Sequence, residues 1–410
     1  MKKNTILILS LCGLFLFYKY IAQLFPALIG SEFMQHYGYD GVMLAIMASS
    51  YYYSYSIMQL VAGYTIDRFD VKTPMFLALI LMSLMIFLFT VANSNFYVMC
   101  LSRALIGVGA SFATVVYMKC AALYTTPKTF GIISSFLATA TMLGAACGSA
   151  PIALLFEKSG WQQGLTMIAL LGLLMALCVL FVMKPRKNNA SVTPSHLKFS
   201  NIKNVLAKKE NWLLLLYSGL TFSPVAVLGG LWGVPFLMTK FSVTTAHASF
   251  FLTVMFIGHA VGSPCWAVLS LKLNKKLDIM HCCNIISLMA LLAIIYSDTP
   301  FHFSLILFFI FGFSVGGFML SFQLCREVNA LYMIGLAVAF INSGEGIVSA
   351  LVEPLIGYLL DVAKTRHIIG VQDYQTALWI LPICYILSSA TLLFLKPKKC
   401  VSHQPQLVGA

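Results

Sequence analysis

The chain has 410 residues, of which 60% are hydrophobic and 10% charged, and its mean hydropathy is +0.89. Soluble globular proteins carry about 25% charged residues, so this composition excludes that class and predicts a polytopic membrane protein. The formal net charge is +13, but the basic residues lie between apolar segments, and there is no basic helix or aromatic-studded loop to follow a phosphate backbone. We therefore expect a lipid bilayer, and no nucleic acid, as a partner.

Apolar segments long enough to cross a bilayer, which requires about 20 residues, occur in two groups of six. A basic stretch containing Ser, Asn and Pro separates the groups, as expected of a solvated linker. The sequence predicts an all-α protein with twelve transmembrane helices: a six-helix bundle at 1–183, a cytoplasmic linker at 184–210, a second bundle at 211–396 and a cytoplasmic tail at 397–410. The predicted segments are 5–29, 41–66, 73–92, 96–124, 130–156, 162–183, 211–238, 246–271, 278–297, 302–326, 332–360 and 374–395.

The distribution of Lys and Arg predicts the orientation of the chain. If the N-terminus is cytoplasmic, the inner loops collect about nineteen basic residues and the outer loops about four, as the positive-inside rule requires. The first segment follows Met1-Lys2-Lys3, as a signal peptide would, but no small-x-small cleavage site follows it. We therefore interpret it as a transmembrane helix and expect both termini in the cytoplasm.

Two landmarks recur in the same order in the two groups of segments. Pro151 corresponds to Pro354, and FVMKPRK at 181–187 corresponds to LFLKPKK at 393–399, at an offset of about 203 to 212 residues. Such an internal repeat predicts two pseudo-symmetric six-helix bundles.

The loop after the second segment contains Gly63-Tyr-Thr-Ile-Asp67-Arg68-Phe-Asp70-Val-Lys72. It resembles the G-x-x-x-D-R-x-G-[RK]-[RK] signature of the major facilitator superfamily, with Asp70 in place of the second glycine. The resemblance covers nearly the whole chain. It implies two six-helix bundles around a central cavity, with the first, fourth, seventh and tenth helices innermost.

The same signature implies a gate at the cytoplasmic mouth. Gly63 is expected to allow close helix approach, and Asp67 and Arg68 are expected to form a charged latch together with Lys72. The alternative is a solvated, positively charged inner loop. Glu327, in Arg326-Glu327-Val-Asn329 before the eleventh segment, is assigned to the gate as well.

Two further patterns lie in the fourth and fifth segments. LSRALIGVGASF resembles the R-x-x-x-G pattern of the superfamily, and its Arg103 is expected to serve the substrate cavity because isolated charges within membranes are usually functional. The alternative for Arg103 is bonding to backbone carbonyls. The run from Gly144 to Pro151 only partly resembles the G-x-x-x-G-P signature of superfamily antiporters, so we interpret its small residues as a packing face.

SYYYSYSIMQLVAG in the second segment and PLIGYLLD at the end of the eleventh resemble a branch of solute-uptake carriers, which includes bacterial intraphagosomal amino-acid carriers and lysosomal peptide carriers. The resemblance implies a monomeric transporter in a bacterial inner membrane. No G-x-x-x-x-G-K-[ST] motif occurs, and the linker of about 27 residues is too short for an ATPase domain. We therefore expect a proton or other ion gradient, and no cofactor, to drive transport.

A membrane-embedded enzyme would require clustered catalytic groups at a helix end. His247 and His259, the one nearby pair in an apolar segment, lie about 18 Å apart along a helix, so we expect no enzymatic activity. Soluble domains, which would indicate a receptor, are also lacking.

The first two segments supply the predicted cavity lining of the first bundle. Lys19 and Gln23 share one helical face, and Tyr52 shares a face with Gln59. The neighbouring residues Tyr51, Tyr53 and Tyr55 are predicted to pack at helix interfaces.

The eleventh segment carries Asn342, Glu345, Ser349 and Glu353 within an arc of about 80°. This polar stripe faces either water or the second helix. Glu345 matches the depth of Lys19, and Glu353 matches that of Arg103. We predict that Glu345 is the coupling or substrate-binding acid, and the alternative is a fixed ion pair with Lys19. Glu353, beside Pro354, has a structural role as its alternative.

Opposite charges in one cavity suit a small zwitterionic or carboxylate-bearing solute, because basic groups bind the carboxylate and an acid binds the amine. The sequence therefore predicts proton-coupled uptake of an amino acid, short peptide or organic acid. The alternative is efflux of a drug-like or siderophore-like compound.

Overall fold

The computed structural model describes residues 3–68, 71–92, 95–124, 127–183, 199–329, 334–364 and 369–395, with the backbone alone at 3–4, 67–68, 122–124, 127–135, 199–202 and 334–335. Every regular element among these residues is a helix. A helix satisfies its own backbone hydrogen bonds, which apolar segments in lipid cannot leave unpaired.

Twelve long helices, several of them interrupted, confirm the predicted fold, and a short linker helix (Phe199–Leu206) precedes the seventh. Most of the linker, at 184–198, and the tail at 397–410 lie outside the described residues, so the proposed domain limits remain predictions. The helices are α1 (Lys3–Leu24 and Pro26–His36), α2 (Gly41–Arg68), α3 (Lys72–Val91), α4 (Phe96–Tyr124), α5 (Pro127–Gly148 and Ala150–Ser159), α6 (Trp161–Val182), α7 (Lys209–Val227, a π-helical turn at Leu228–Trp232, and Gly233–Phe241), α8 (Thr245–Leu273), α9 (Lys276–Tyr296), α10 (Phe301–Val315, a 3-10 turn at Gly316–Met319, and Leu320–Val328), α11 (Ile334–Lys364) and α12 (Val371–Ala377 and Ile380–Phe394).

Eleven of these helices are long and apolar enough to cross a membrane, and α2 is the exception. Its 28 residues reach about 42 Å, so its length suffices. Its Ser and Tyr residues lower its hydropathy. They are accommodated because α2 packs between α4 of its own half and α11 of the other half.

The first half (α1–α6) and the second half (α7–α12) meet along two seams, α2 with α11 and α5 with α8. We call the membrane side that carries residues 3 and 395 the termini side, and the opposite side the far side. Among the described residues, hydrogen bonds between the halves run from the far side down to Ser56, near the middle of α2. The halves are therefore joined on the far side.

Glycine and proline mark the interruptions of the helices near the cavity. α1 breaks immediately before Pro26, and the π-helical turn of α7 contains Gly229 and Gly230. The interrupted helices α1 and α7 meet on the far side and bring both halves to the cavity.

The contact between α8 and α10 generates a test of helix packing. A Cβ atom on Gly312 would overlap the carbonyl oxygen of Met255, so we expect Gly312→Ala to lower the free energy of unfolding by about 1–3 kcal/mol. The measurement is the thermal unfolding midpoint in detergent. At Gly63 an added Cβ meets no atom within 4 Å, so Gly63→Ala should be neutral or slightly stabilising. Equal midpoints for the two variants would contradict this packing.

Candidate functional site

A cavity of about 270 Å³, counting the part open to solvent, lies between the two halves. Its two charged residues come from opposite halves, Lys19 from α1 and Glu345 from α11. Aromatic residues form most of the remaining wall. The lining residues are Lys19, Tyr20, Gln23, Tyr51, Tyr52, Tyr55, Phe222, Ala226, Glu345 and Gly346.

The ammonium group of Lys19 is held by aromatic side chains. Only 3% of the residue is exposed, and its Nζ donates a hydrogen bond of 2.9 Å to the Tyr55 hydroxyl. The same nitrogen lies 4.3 Å from the ring centroid of Tyr55 and 4.7 Å from that of Tyr20. Cation–π attraction of this kind stabilises a desolvated ammonium group, so the lysine does not depend on a carboxylate partner.

Glu345 faces the same cavity without bonding to Lys19. Both residues line one cavity, but the salt bridge found within the described residues is Lys276–Glu327. The Tyr55 hydroxyl also accepts a hydrogen bond of 3.1 Å from Asn342 Nδ2. Tyr55 therefore retains Lys19 beside α2. The structure does not contain the fixed Lys19–Glu345 ion pair that was the alternative interpretation.

Gln23 bridges two tyrosines of the cavity wall. Its Nε2 donates to the Tyr52 hydroxyl at 3.2 Å, and its Oε1 accepts from the Tyr51 hydroxyl at 3.2 Å. The prediction that Tyr51 and Tyr55 serve only packing is corrected, since both line the cavity. Their spacing of four residues, which places them on one helical face, was the available signal, and their rings are stacked with centroids 5.7 Å apart.

Arg103 lies outside the cavity lining, which corrects its expected location. It is 1% exposed, and its Nη1 donates to the carbonyl of Ala22 at 2.7 Å. Its Nη2 donates to the carbonyls of Gln23 at 3.1 Å and Ala48 at 3.5 Å. Pro26 has no N–H to offer the carbonyl four residues earlier, at Ala22. Arg103 therefore supplies the donor that the break in α1 requires.

Two residues of the polar stripe of α11, Asn342 and Glu353, bond to α2. Ser49 donates to Glu353 Oε2 at 2.8 Å, while Glu353 Oε1 has no partner among the described residues. Ser349 donates to the backbone oxygen of Glu345 at 2.7 Å. Asn342 and Glu353 therefore lie in the seam between the halves, with Glu353 fully buried.

The break at Pro354 is satisfied by a residue other than Glu353. The proline leaves the carbonyl of Ala350 without its helical donor, and the Tyr53 hydroxyl of the other half donates to that oxygen at 2.7 Å. Tyr53, which lies at a helix interface as predicted, therefore makes the contact at the proline that was considered for Glu353.

The remaining predicted site residues lie away from the cavity. Gln59 is buried, and its Nε2 has no partner among the described residues. At the predicted gate, Gly63 makes no close helix contact, Lys72 donates to the carbonyl of Leu180 in its own half, and Glu327 pairs with Lys276. The side chains of Asp67 and Arg68 lie outside the described residues.

The role of Arg103 at the α1 break can be tested through stability. Arg103→Lys keeps the charge, but one ammonium nitrogen cannot reproduce the planar fork of donors. For each carbonyl left without a donor, we expect the free energy of unfolding to fall by about 1–3 kcal/mol. The measurement is the thermal unfolding midpoint, which should be lower than that of the wild type. The exposed Lys158 provides the control, Lys158→Arg, with no expected change. A wild-type midpoint in Arg103→Lys would contradict this role.

Comparison with known proteins agrees with this architecture. The chain matches the Major Facilitator Superfamily over residues 7–233 and 214–408. It is 29% identical over 195 residues to Protein spinster homolog 1 of Xenopus tropicalis, a match covering 45% of this chain and 36% of that relative. The matched region thus spans about a third of the relative's length.

Two solved structures are similar over almost their whole length. One is a bacterial homolog of the human lysosomal transporter Spinster in an inward-facing, occupied conformation, with a TM-score of 0.78, 12% identity and coverage of 96% of this chain and 97% of that chain. The other is a D-xylose–proton symporter, with a TM-score of 0.75, 14% identity and coverage of 97% and 99%. Together with the family match over most of the sequence, these observations show that the chain belongs to the Major Facilitator Superfamily of membrane transporters.

Proposed function

We propose that the protein is a proton-coupled secondary transporter that takes up a small zwitterionic or carboxylate-bearing solute, such as an amino acid, a short peptide or an organic acid. The observation that carries this proposal is the placement of Lys19 and Glu345. They come from opposite halves, line one cavity and make no salt bridge with each other.

The two charges are suited to a ligand that carries both signs. Lys19 has a hydrogen bond from its ammonium group to the neutral Tyr55, and it retains donors for a carboxylate because an ammonium group has three. Glu345 supplies acceptors for an amine on the other wall. A bulky drug or siderophore would require a larger apolar pocket with fewer fixed charges than this lining provides.

Glu345 is the proposed coupling acid. Removal from water favours the neutral form of a carboxyl group, and an approaching cation favours the charged form. One carboxyl group can therefore exchange a proton for a cationic group of the solute. Glu353 is less suited to direct contact with the solute, because it is fully buried in the seam and outside the cavity lining.

We propose that transport occurs by alternating access, in which the halves separate on one side of the membrane at a time. They are joined on the far side, as described above. With both termini in the cytoplasm, which the distribution of Lys and Arg favours, the joined far side is the outer side of the membrane. We further propose that the protein works as a monomer in a bacterial inner membrane.

Uptake into reconstituted vesicles tests the solute class. We expect an inward-directed proton gradient to drive accumulation of a radiolabelled amino acid, short peptide or organic acid, and a protonophore to abolish it. Drug-like compounds and siderophores form the comparison set. Transport confined to that set would favour the alternative of efflux and contradict the proposed solute class.

The coupling role is tested with Glu345→Gln, which keeps the size of the side chain but cannot ionise. We expect proton-driven accumulation to fail while exchange of labelled for unlabelled solute survives, because exchange requires no net proton movement. Glu353→Gln is the matched control, a buried acid on the same helix outside the cavity, and it should retain proton-driven accumulation. The reverse pattern would assign coupling to Glu353, and unchanged accumulation in Glu345→Gln would rule the proposal out.

A further inference from the structure

On the far side, Asp361 at the end of α11 binds the first turn of α2 in the other half. Its Oδ1 accepts the N–H of Gly41 at 2.7 Å, and its Oδ2 accepts the N–H of Val42 at 2.8 Å. First-turn N–H groups have no acceptor within their own helix, and the positive end of the helix dipole favours a carboxylate there. Asp361 therefore caps the N-terminus of a helix that belongs to the other half.

Glu157 at the end of α5 makes the equivalent contact along the second seam. Its Oε1 accepts the N–H of Ala246, in the first turn of α8, at 3.0 Å. Here too, a carboxylate of one half caps the N-terminus of a helix in the other half. The two contacts lie on the same side of the membrane, because α2 and α8 both start on the far side and α5 and α11 both end there.

The internal repeat relates these two contacts residue by residue. Each helix start also has a cap from its own half, where Asp40 accepts the N–H of Met43 at 2.6 Å and Thr244 accepts that of His247 at 3.5 Å. A single offset of 204 residues connects the corresponding positions, close to the spacing of 203 between Pro151 and Pro354. The pairs at this offset are Glu157 and Asp361, Val42 and Ala246, Asp40 and Thr244, and Ala146 and Ala350. The backbone carbonyls of Ala146 and Ala350 each accept a side-chain hydrogen bond from the other half.

We propose that Asp361 and Glu157 are positioning residues of the transport cycle, which hold the far side closed by capping helices of the opposite half. Both contacts join a side chain of one half to the backbone of the other, so both must break when the halves separate there. Asp361 makes two hydrogen bonds and is half-buried, whereas Glu157 makes one and is exposed, where solvent weakens charge interactions. Asp361 therefore contributes more to closure than Glu157.

Hydrogen–deuterium exchange of the full-length protein in detergent, without solute, tests this proposal independently of the proposed substrate. Asp361→Asn removes the charge and one of the two acceptors. We expect it to shift the equilibrium toward the far-side-open state roughly tenfold, the effect of about 1.4 kcal/mol. Amide exchange should rise in the first turns of both α2 and α8, and it should fall at the helix ends on the termini side, because opening one side closes the other.

Two variants serve as controls. Asp40→Asn weakens the same end of α2 but breaks no bond between the halves, so its effect should stay local. Glu157→Gln should produce the same changes in amide exchange on both sides of the membrane as Asp361→Asn, with a smaller amplitude. If Asp361→Asn does not fold, Glu157→Gln alone tests the proposal. Increased exchange confined to the first turn of α2 in Asp361→Asn, or no change at α2 in Glu157→Gln, would overturn the proposal.

Discussion

The structure depends on one constraint, that a backbone polar group freed by a helix break or a helix end inside a membrane protein must find a partner within the protein. Several polar contacts between helices serve this need. Arg103 donates to the carbonyl exposed by Pro26, and Tyr53 to the carbonyl exposed by Pro354. At the break before Pro151, Thr253 of the other half accepts the N–H of Ala150 and donates to the carbonyl of Ala146, which also accepts the N–H of Ser149 at 3.3 Å.

These structural contacts explain which charged groups remain available for a solute. Arg103 and Lys19 are both buried, but the Arg103 guanidinium donates to three carbonyl oxygens. Lys19 instead bonds to a neutral hydroxyl and two aromatic rings, and displacing such contacts costs less than breaking an ion pair in a low-dielectric site. The same distinction separates Glu353, fixed by Ser49 within the seam, from Glu345 at the cavity wall.

The sequence predicted the twelve helices and the depth of each intramembrane charge, because hydropathy and a rise of about 1.5 Å per residue determine both. Lys19 and Glu345, which the sequence placed at one depth, line the same cavity. The direction in which each side chain faces was harder to predict. The partner of Arg103 is a proline break 77 positions earlier in the chain, and helical periodicity within the fourth segment carries no information about another helix. Tyr51 and Tyr55 were assigned to helix interfaces for the same reason, since a shared helical face does not show whether that face meets another helix or the cavity.

Helix α2 bonds to α11 at two levels that have different roles. Near the middle of α2, Tyr55 connects Lys19 to Asn342 of α11. At the far-side end of α2, the backbone N–H groups of Gly41 and Val42 donate to Asp361, which also belongs to α11. Tyr55 and Gly41 are 14 residues apart, about 21 Å along a helix. Because a continuous helix moves largely as a rigid element, separation of α2 from α11 on the far side also acts on the Tyr55–Asn342 contact. The environment of Lys19 in the cavity is therefore mechanically linked to closure of the far side through a single helix.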